Sequence, residues 1–156
     1  MSQICEGGCT CRAVRYRLAG PPLIVHCCHC RWCQRETGAA FALNALFESE
    51  RLELLAGEVD LVPTPSASGK GQQIARCRVC HVALWSHYAG FAERVSFVRV
   101  GTLDEPDRFP PGVHIFTESK QPWVVLPPAV PSFSQYYRSR DVWSPESLAR
   151  REALTR

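Results

Sequence analysis

Apolar and polar residues alternate over several short segments of the chain, which is the pattern of half-buried β-strands. In residues 14–18 (VRYRL), for example, the apolar residues alternate with arginine. The polar segment 63–73 (PTPSASGKGQQ) is rich in glycine, proline and serine and is predicted to be a turn or loop. Strands are predicted over residues 14–18, 23–25, 40–47, 51–55, 94–100 and 114–117.

Helix signals are fewer than strand signals. Gly38 is predicted to end one or two helical turns that follow a cysteine cluster at residues 27–33. Ser144, Pro145 and Glu146 form an N-cap, a first-turn proline and a first-turn acid, which predict a C-terminal helix through residue 154. Many short strands, one longer helix and no βαβ alternation predict a mainly β fold.

Overall composition is that of an ordinary globular domain. The chain has 156 residues, of which 46% are hydrophobic and 21% charged, and its formal net charge is +3. Because the basic residues are scattered among the acidic ones, neither nucleic acid nor a membrane surface is expected as a partner. The N-terminus lacks the basic and then apolar pattern of a signal peptide, and the longest apolar runs are too short to cross a bilayer. We therefore expect a cytoplasmic protein.

Nine cysteines are the unusual feature of the composition. Disulfides do not persist in a reducing compartment, and an odd number of cysteines fits poorly with a closed disulfide framework. Dense cysteine usage in such a compartment indicates metal or redox chemistry. Metal binding is the better interpretation here.

Two cysteine pairs lie far apart in the sequence. Side chains two apart in an extended strand point to the same face, so Cys9 and Cys11 can reach one ion together. Cys77 and Cys80 form a C-x-x-C turn, which places two sulfurs on one side. The two pairs supply four thiolates, the number that a closed, tetrahedral structural zinc needs. The alternatives are ordinary buried cysteines or a redox pair, which normally opens a helix in a βαβ context.

Cys28, Cys30 and Cys33 form a C-x-C-x-x-C run. Three protein ligands leave one tetrahedral position open, which is the usual mark of a catalytic zinc. Three thiolates outweigh the charge of a dication, so this ion would be a poor Lewis acid toward water. It should favour a soft fourth ligand such as a thiol. The run therefore suggests a sulfur-containing substrate.

Two alternatives for this second group stay open. One of Cys27, His26, His29 and His114 can fill the fourth position and make the site structural. An iron–sulfur cluster is the other alternative, and it needs a fourth cysteine from elsewhere. Of the remaining cysteines, Cys5 is expected to be a bystander near a mobile terminus, and Cys27 is expected to point into the core.

Several ordered motifs resemble one protein family. They span about residues 4–135 and are similar to those of the glutathione-dependent formaldehyde-activating enzyme family, which includes centromere protein V. The region ends on Pro131-x-Phe133, as is usual in the family. In chain order, the other motifs are Gly8-Cys9-Thr10-Cys11, Cys28-His29-Cys30-x-x-Cys33-x-Arg35-x-x-Gly38, Cys77-x-x-Cys80-x-x-x-Leu84 and His114-Ile115-Phe116-x-x-Ser119-Lys120-x-Pro122-Trp123.

The resemblance implies a β-tent fold of short antiparallel strands with two zinc ions per chain. We accordingly expect residues 1–140 to form a zinc-binding domain and residues 141–156 to form a C-terminal helical extension. The resemblance assigns one structural ion to Cys9, Cys11, Cys77 and Cys80, and one catalytic ion to Cys28, Cys30 and Cys33.

The activity that the resemblance implies is condensation of glutathione with formaldehyde to S-hydroxymethylglutathione, a carbon–sulfur lyase reaction. The expected partners are then a small-molecule thiol and an aldehyde. Because glutathione carries two carboxylates, cationic side chains are expected near the catalytic ion, and Arg31, Arg35 and Lys120 are the candidates. Trp32 and Trp123 are candidates for the pocket wall. The alternative function is a non-catalytic two-zinc module with a structural or protein-interaction role.

Two positions depart from the family pattern. The family usually has glycine after its first C-x-C and after its C-x-x-C, where this chain has Arg12 and His81. Glycine at such a place normally supplies a positive φ or a close backbone approach. We therefore expect these two turns to be shaped differently, and His81 to be available as a spare ligand.

Overall fold

The structure is a computed structural model that describes residues 3–156. This part of the chain contains ten β-strands and two α-helices, and none of its helices is long and apolar enough to cross a membrane. In chain order the elements are β1 (Ile4–Gly8), β2 (Arg15–Ala19), β3 (Ile24–Cys28), α1 (Arg31–Thr37), β4 (Ala42–Glu48), β5 (Leu52–Ala56), β6 (Val59–Thr64), β7 (Gln72–Cys77), β8 (Ala83–Tyr88), β9 (Val95–Arg99), β10 (Val113–Ile115) and α2 (Pro145–Ala153).

The strands form two sheets. A three-stranded sheet has the order β1-β2-β5, and a seven-stranded sheet has the order β10-β3-β4-β9-β8-β7-β6. Pairing within these sheets is antiparallel, except that β10 runs parallel to β3. The predicted mainly β fold of short antiparallel strands with a C-terminal helix is thus confirmed.

An apolar core lies between the two sheets. The alternation predicted for the second strand is present, since Tyr16 and Leu18 are fully buried while Arg17 turns outward and bonds to Glu6. The Tyr16 ring meets Trp85 of β8 edge-on, with ring centroids 5.5 Å apart. Burying side chains of this size contributes about 1.5–3 kcal/mol each. The sheets are therefore held together mainly by apolar contact.

The C-terminal segment packs on a second apolar cluster. Tyr137 and Trp143 are buried in it, and the Trp143 indole donates to the Tyr137 hydroxyl at 2.6 Å. Helix α2 begins as predicted, because the Ser144 hydroxyl accepts from the backbone N–H of Ser147 at 3.1 Å. The terminal helix is thus joined to the rest of the fold through buried aromatic side chains.

An ion pair also fixes α2 to the end of β4. The Arg150 guanidinium donates twice to the Glu48 carboxylate, at 2.7 and 2.6 Å. Burial raises the pKa of Glu48, but the hydrogen bonds and charge of Arg150 outweigh it and hold that pKa below its ordinary value. The carboxylate therefore stays ionised in this buried position.

Three expectations need correction. Strands β1, β6, β7 and β8 were not predicted from the pattern. The loop predicted over residues 63–73 is shorter, because Pro63 and Thr64 finish β6 and Gln72 begins β7. Proline is tolerated there because β6 is an edge strand, where a missing N–H costs no sheet hydrogen bond. Cys5 lies in β1 and is only 5% exposed, so it belongs to the core and not to a mobile terminus.

Candidate active site

The two distant cysteine pairs meet in the structure. The ligand atoms of all four residues lie within 4.8 Å of one another. The Sγ atoms of Cys9 and Cys11 are 3.5 Å apart, and those of Cys11 and Cys77 are 3.8 Å apart. The first pair follows β1 and the second spans the turn between β7 and β8, so this four-cysteine group (Cys9, Cys11, Cys77 and Cys80) connects the two sheets.

Backbone amides point at the sulfurs of the four-cysteine group. The N–H of Val14 donates to Cys9 Sγ and the N–H of Val79 to Cys77 Sγ, both at 3.3 Å. Hydrogen bonds from the backbone N–H groups of Val82 and Cys11 lower the pKa of Cys80 to about 6. Donors of this kind favour thiolates over thiols. The group therefore fits a divalent metal bound by four thiolates.

The two turns of the four-cysteine group keep the backbone that glycine would give. Arg12 has φ of 64° and His81 has φ of 63°, both in the left-handed region. Each donates its N–H back to the first cysteine of its turn: Arg12 to the Cys9 carbonyl at 3.1 Å, and His81 to the Cys77 carbonyl at 2.9 Å. The expectation that these turns are shaped differently is therefore wrong. The chain accepts a strain of about 1–2 kcal/mol at each turn instead. His81 is exposed and lies outside the four-cysteine group.

The second cysteine group lies at the junction between β3 and α1. Cys28 is the last residue of β3, Cys30 is the N-cap of α1 and Cys33 lies in its first turn. The three sulfurs lie within 4.8 Å of one another. Cys30 Sγ also accepts the N–H of Cys33 at 3.3 Å, so the sulfur caps the helix. Gly38 ends this helix in the left-handed conformation, as predicted. We call Cys28, Cys30 and Cys33 the triad.

Buried polar groups hold the peptide between the first two triad cysteines. The His29 N–H donates to the Ile115 carbonyl of β10 at 3.0 Å. The Gln34 side-chain amide donates to the carbonyls of His29 at 2.7 Å and Ser119 at 3.0 Å. The Ser119 hydroxyl also donates to the His29 carbonyl at 3.0 Å. Gln34 is therefore a positioning residue, and no motif in the sequence indicated it.

The triad thiols cannot all ionise without a cation. Hydrogen bonds from Cys28 and Cys33 lower the pKa of Cys30 to about 2, and the same bond to Cys30 raises the pKa of Cys28. A hydrogen bond with Cys28 and the charge of Arg99 lower the pKa of Cys33, but Cys30 and burial outweigh them and raise it to about 12. Without a bound cation, the triad would therefore hold one thiolate and two thiols at neutral pH. Ionising those two thiols requires a nearby positive charge, so the triad fits a divalent metal.

None of the residues considered as a closing fourth ligand joins the triad sulfurs, although His26 lines a cavity that the triad also lines. Cys27, His29 and His114 form a separate buried group, in which His29 Nε2 is 3.6 Å from Cys27 Sγ and 3.0 Å from His114 Nδ1. His26 Nε2 is hydrogen-bonded to the Tyr137 hydroxyl at 2.6 Å. Within residues 3–156, no further histidine, cysteine or acid joins the three triad sulfurs at mutual distances within 4.8 Å. Cys27 points into the core, as expected.

A cavity of about 360 Å³ opens over the triad and is lined by all three of its cysteines. Arg99 is only 8% exposed and lines the same cavity. Its Nη1 donates to Asn44 Oδ1 at 2.8 Å and its Nη2 to Glu36 Oε2 at 2.9 Å. Glu36 is shared with Arg76, at 2.6 Å. A fixed guanidinium therefore stands beside the sulfurs in a cavity large enough for a small molecule.

Comparison with known proteins agrees with the motifs. The sequence model of the family described as glutathione-dependent formaldehyde-activating enzyme matches residues 4–119. This chain belongs to that family. A Halomonas elongata protein provisionally named a glutathione-dependent formaldehyde-activating enzyme is 28% identical over 125 residues, which cover 78% of this chain and 80% of that protein. The crystal structure of a Rhodobacter sphaeroides protein is 19% identical and covers 64% of this chain and 87% of that chain, with a TM-score of 0.46.

The family match includes both cysteine groups, but the residues predicted to bind substrate do not surround the triad. Arg31 and Arg35 are exposed on α1, Trp123 is 69% exposed and Lys120 is half-buried. These four do not line the cavity, whereas Trp32 does. The roles of Arg31, Arg35, Lys120 and Trp123 in substrate binding stay predictions.

The cations that do line the cavity are Arg99 and Lys70. Sequence reasoning missed both, because Arg99 is one residue of an alternating strand and Lys70 lies in a polar loop. Neither position has a spacing relative to the triad that would single it out. Only the pairing of β4 with β9, and the approach of the loop before β7, bring them to the cavity.

Proposed function

We propose that this chain is a zinc-dependent enzyme of the carbon–sulfur lyase type. It joins a thiol, glutathione or another, to formaldehyde or a related aldehyde and forms an S-hydroxymethyl thiol adduct. The observation that carries the proposal is the triad itself, whose three sulfurs converge at the surface of a cavity without a fourth protein ligand among the described residues. Membership in the formaldehyde-activating family supports the substrate pair.

We propose two zinc ions per chain. The four-cysteine group supplies the four thiolates of a closed structural site, and the triad supplies three ligands of an open one. Zinc suits both groups because thiolate ligands select it and because it accepts the tetrahedral arrangement that such sites provide. Held by the triad, zinc would keep an incoming thiol ionised at neutral pH.

The proposed reaction is an addition. The sulfur of the thiolate forms a bond to the aldehyde carbon, the carbon–oxygen double bond becomes a single bond, and the oxygen takes up the proton that the thiol released. Through the ion that they would hold, the triad residues fix the sulfur in one place, and the cavity walls hold the aldehyde beside it. The increase in reaction rate therefore comes from proximity. The guanidinium of Arg99 adds positive charge where the oxygen becomes negative.

The setting of the enzyme is also a proposal. All nine cysteines are free of disulfides in the structure, which supports a reducing compartment such as the cytoplasm. We propose that residues 1–140 are the zinc-binding domain and residues 141–156 an extension of it, and that the partners are small molecules, with neither nucleic acid nor membrane among them.

Exchange NMR tests the proposed function. Thiols and formaldehyde form adducts without a catalyst, so the quantity to measure is the exchange rate between ¹³C-formaldehyde and S-hydroxymethylglutathione at equilibrium. We expect the purified protein to raise this rate at least about tenfold, and Cys30→Ser to abolish the increase.

Cys5→Ala is the matched control, because Cys5 is a buried cysteine outside both metal-ligand groups. It should keep the increased rate. If the wild-type protein leaves the exchange rate unchanged while binding two zinc ions, the enzyme proposal is wrong. The chain is then a non-catalytic zinc module.

A further inference from the structure

The walls of the cavity over the triad are aromatic. Among them, Tyr88 and Phe97 have ring centroids only 4.6 Å apart. Such a lining offers dispersion contact and apolar burial but few hydrogen bonds. The aromatic side chains that line it are Trp32, Tyr88, Phe91, Phe97, Phe116 and Tyr136.

Charged groups in this cavity are few. Glu36, Lys70 and Arg99 are the charged side chains that line it, and the Glu36 carboxylate already accepts from Arg99 at 2.9 Å. Among the described residues that line the cavity, Lys70 is the cation outside this ion pair. It lies in the loop before β7, away from the Arg99–Glu36 pair in the sequence.

The uncharged polar side chains of the cavity are mainly hydroxyl and amide groups. They include Ser66, Ser68, Gln72, Tyr88 and Tyr136. Such groups can meet the hydroxyl that a thiol–aldehyde adduct carries, but they bring no charge to neutralise a carboxylate.

Glutathione is a poor match to these surroundings. It carries two carboxylates, an ammonium group and two peptide bonds. Against an aromatic wall with one available cation, at least one of the two carboxylates would be buried without a charged partner. Each such group costs a few kcal/mol.

Part of the wall comes from outside the family match. Tyr136 lies in residues 120–156, beyond the matched range, and its ring stacks on Tyr137 at 5.0 Å. Arg151 of α2 lies over the Phe91 ring at 5.7 Å and so supports another wall residue from behind. Segments outside the family match therefore contribute to the character of the cavity.

We infer that the cavity takes a thiol, or its adduct with an aldehyde, whose body is aromatic or branched and apolar and carries at most one carboxylate, in preference to glutathione. This inference rests on the proposed function, because the sulfur of the ligand must meet the triad. It assigns Trp32 and Lys70 as specificity residues, the first for the apolar body and the second for the carboxylate.

Calorimetric titration of the purified, zinc-loaded protein tests the inference. The ligands are glutathione, phenylmethanethiol, which is uncharged, and 4-(mercaptomethyl)benzoate, which adds one carboxylate. We expect both aromatic thiols to bind at least about tenfold more tightly than glutathione. Equal affinities, or tighter binding of glutathione, would overturn the inference and leave the proposed function standing. Absence of binding by all three thiols would overturn both.

Variants at two positions test which residues cause the preference for aromatic thiols. Trp32 is 51% exposed, so Trp32→Ala should leave the fold intact. Trp32→Ala should weaken the binding of both aromatic thiols about fivefold and change the affinity for glutathione by less than about twofold. Trp32→Phe should restore the binding of the aromatic thiols. Lys70→Gln should weaken the binding of 4-(mercaptomethyl)benzoate alone, by about fivefold. A uniform loss for all three ligands in either variant would contradict these specificity roles.

Discussion

The two cysteine groups are made of the same side chain but occupy different surroundings. The four-cysteine group joins a turn of the small sheet to a turn of the large one, and each of its turns is closed by a left-handed residue. The triad lies at the junction of β3 and α1, and its sulfurs face a cavity. Ligand number and access to a cavity, and not ligand type, separate a group suited to holding a fold together from one suited to holding a substrate.

The way each group is held shows the same difference. Backbone N–H groups of its own turns support the four-cysteine group, so it can form as soon as the two turns meet. The triad depends on side chains as well, above all Gln34 of α1 and Ser119 from a distant segment of the chain, which fix the His29 peptide. A site that must stay open at one side needs this side-chain support, because no fourth ligand from the described residues completes it.

The largest effect should come from removing one sulfur from each group. Cys77→Ser should lower the free energy of unfolding by about 4 kcal/mol or more, because a structural metal contributes folding free energy directly. Cys30→Ser should cost less than about 1 kcal/mol, since serine is itself a good N-cap and keeps the contact with the Cys33 N–H. Chemical denaturation and elemental analysis measure stability and metal content together. Equal destabilisation by the two changes would remove the distinction between the groups.

A smaller effect is expected in the pH dependence of metal binding. The pKa of Cys33 is about 12 and that of Cys28 is raised, so both carry protons at neutral pH. In the four-cysteine group the pKa of Cys11 is raised to about 11, but the pKa values of Cys9 and Cys80 are lowered, that of Cys80 to about 6. Metal binding at the triad should therefore release about two protons, and its affinity should rise with pH and fall as pH decreases.

Calorimetry in buffers of different ionisation enthalpy counts the protons released. Cys77→Ser and Cys30→Ser separate the contributions of the two groups. We expect the triad to lose its metal first as pH falls from 7.5 toward 5.5. Loss from the four-cysteine group before the triad would contradict the assignment of pKa directions.

The smallest effect concerns the left-handed turn residues. Arg12→Gly and His81→Gly should each raise the free energy of unfolding by about 0.5–1 kcal/mol, since glycine adopts positive φ without strain. Val79→Gly is the matched control, because Val79 is exposed in the same C-x-x-C turn but does not have a positive φ. That change should destabilise the protein by about 0.5–1 kcal/mol. Thermal melts suffice, and destabilisation by both turn variants would show that the turns are not strained.

Local patterns predicted the parts of the fold that depend on local physics. The alternation around Tyr16 and Leu18 located a half-buried strand, and Ser144 with Pro145 located the start of α2. The edge strand β6 was missed because its residues are mostly exposed and Pro63 interrupts a short run of strand-forming residues. Exposed edge strands depend on pairing with a neighbour, which the sequence alone does not display.

The residues of the candidate site also divide into those that local sequence patterns predicted and those that they did not. The grouping of cysteines within each motif was predictable because short spacings such as C-x-C and C-x-x-C have direct geometric meaning. Arg99 and Lys70 were not, because they come to the cavity through long-range strand pairing and a loop. Arg31 and Arg35 were predicted from nearness in the sequence to the triad, yet helix α1 directs them to solvent, away from the cavity.

The central claim is that the triad holds a metal whose fourth position takes a thiol. Cobalt substitution followed by absorption spectroscopy tests it most directly, because each thiolate bound to cobalt adds intensity to the sulfur-to-cobalt bands. With the four-cysteine group as a constant background, saturating thiol should increase the bands by the contribution of about one more sulfur per chain, and Cys30→Ser should abolish that increase. A spectrum that does not change on addition of phenylmethanethiol or glutathione would mean that the triad offers no open position, and the account would be wrong.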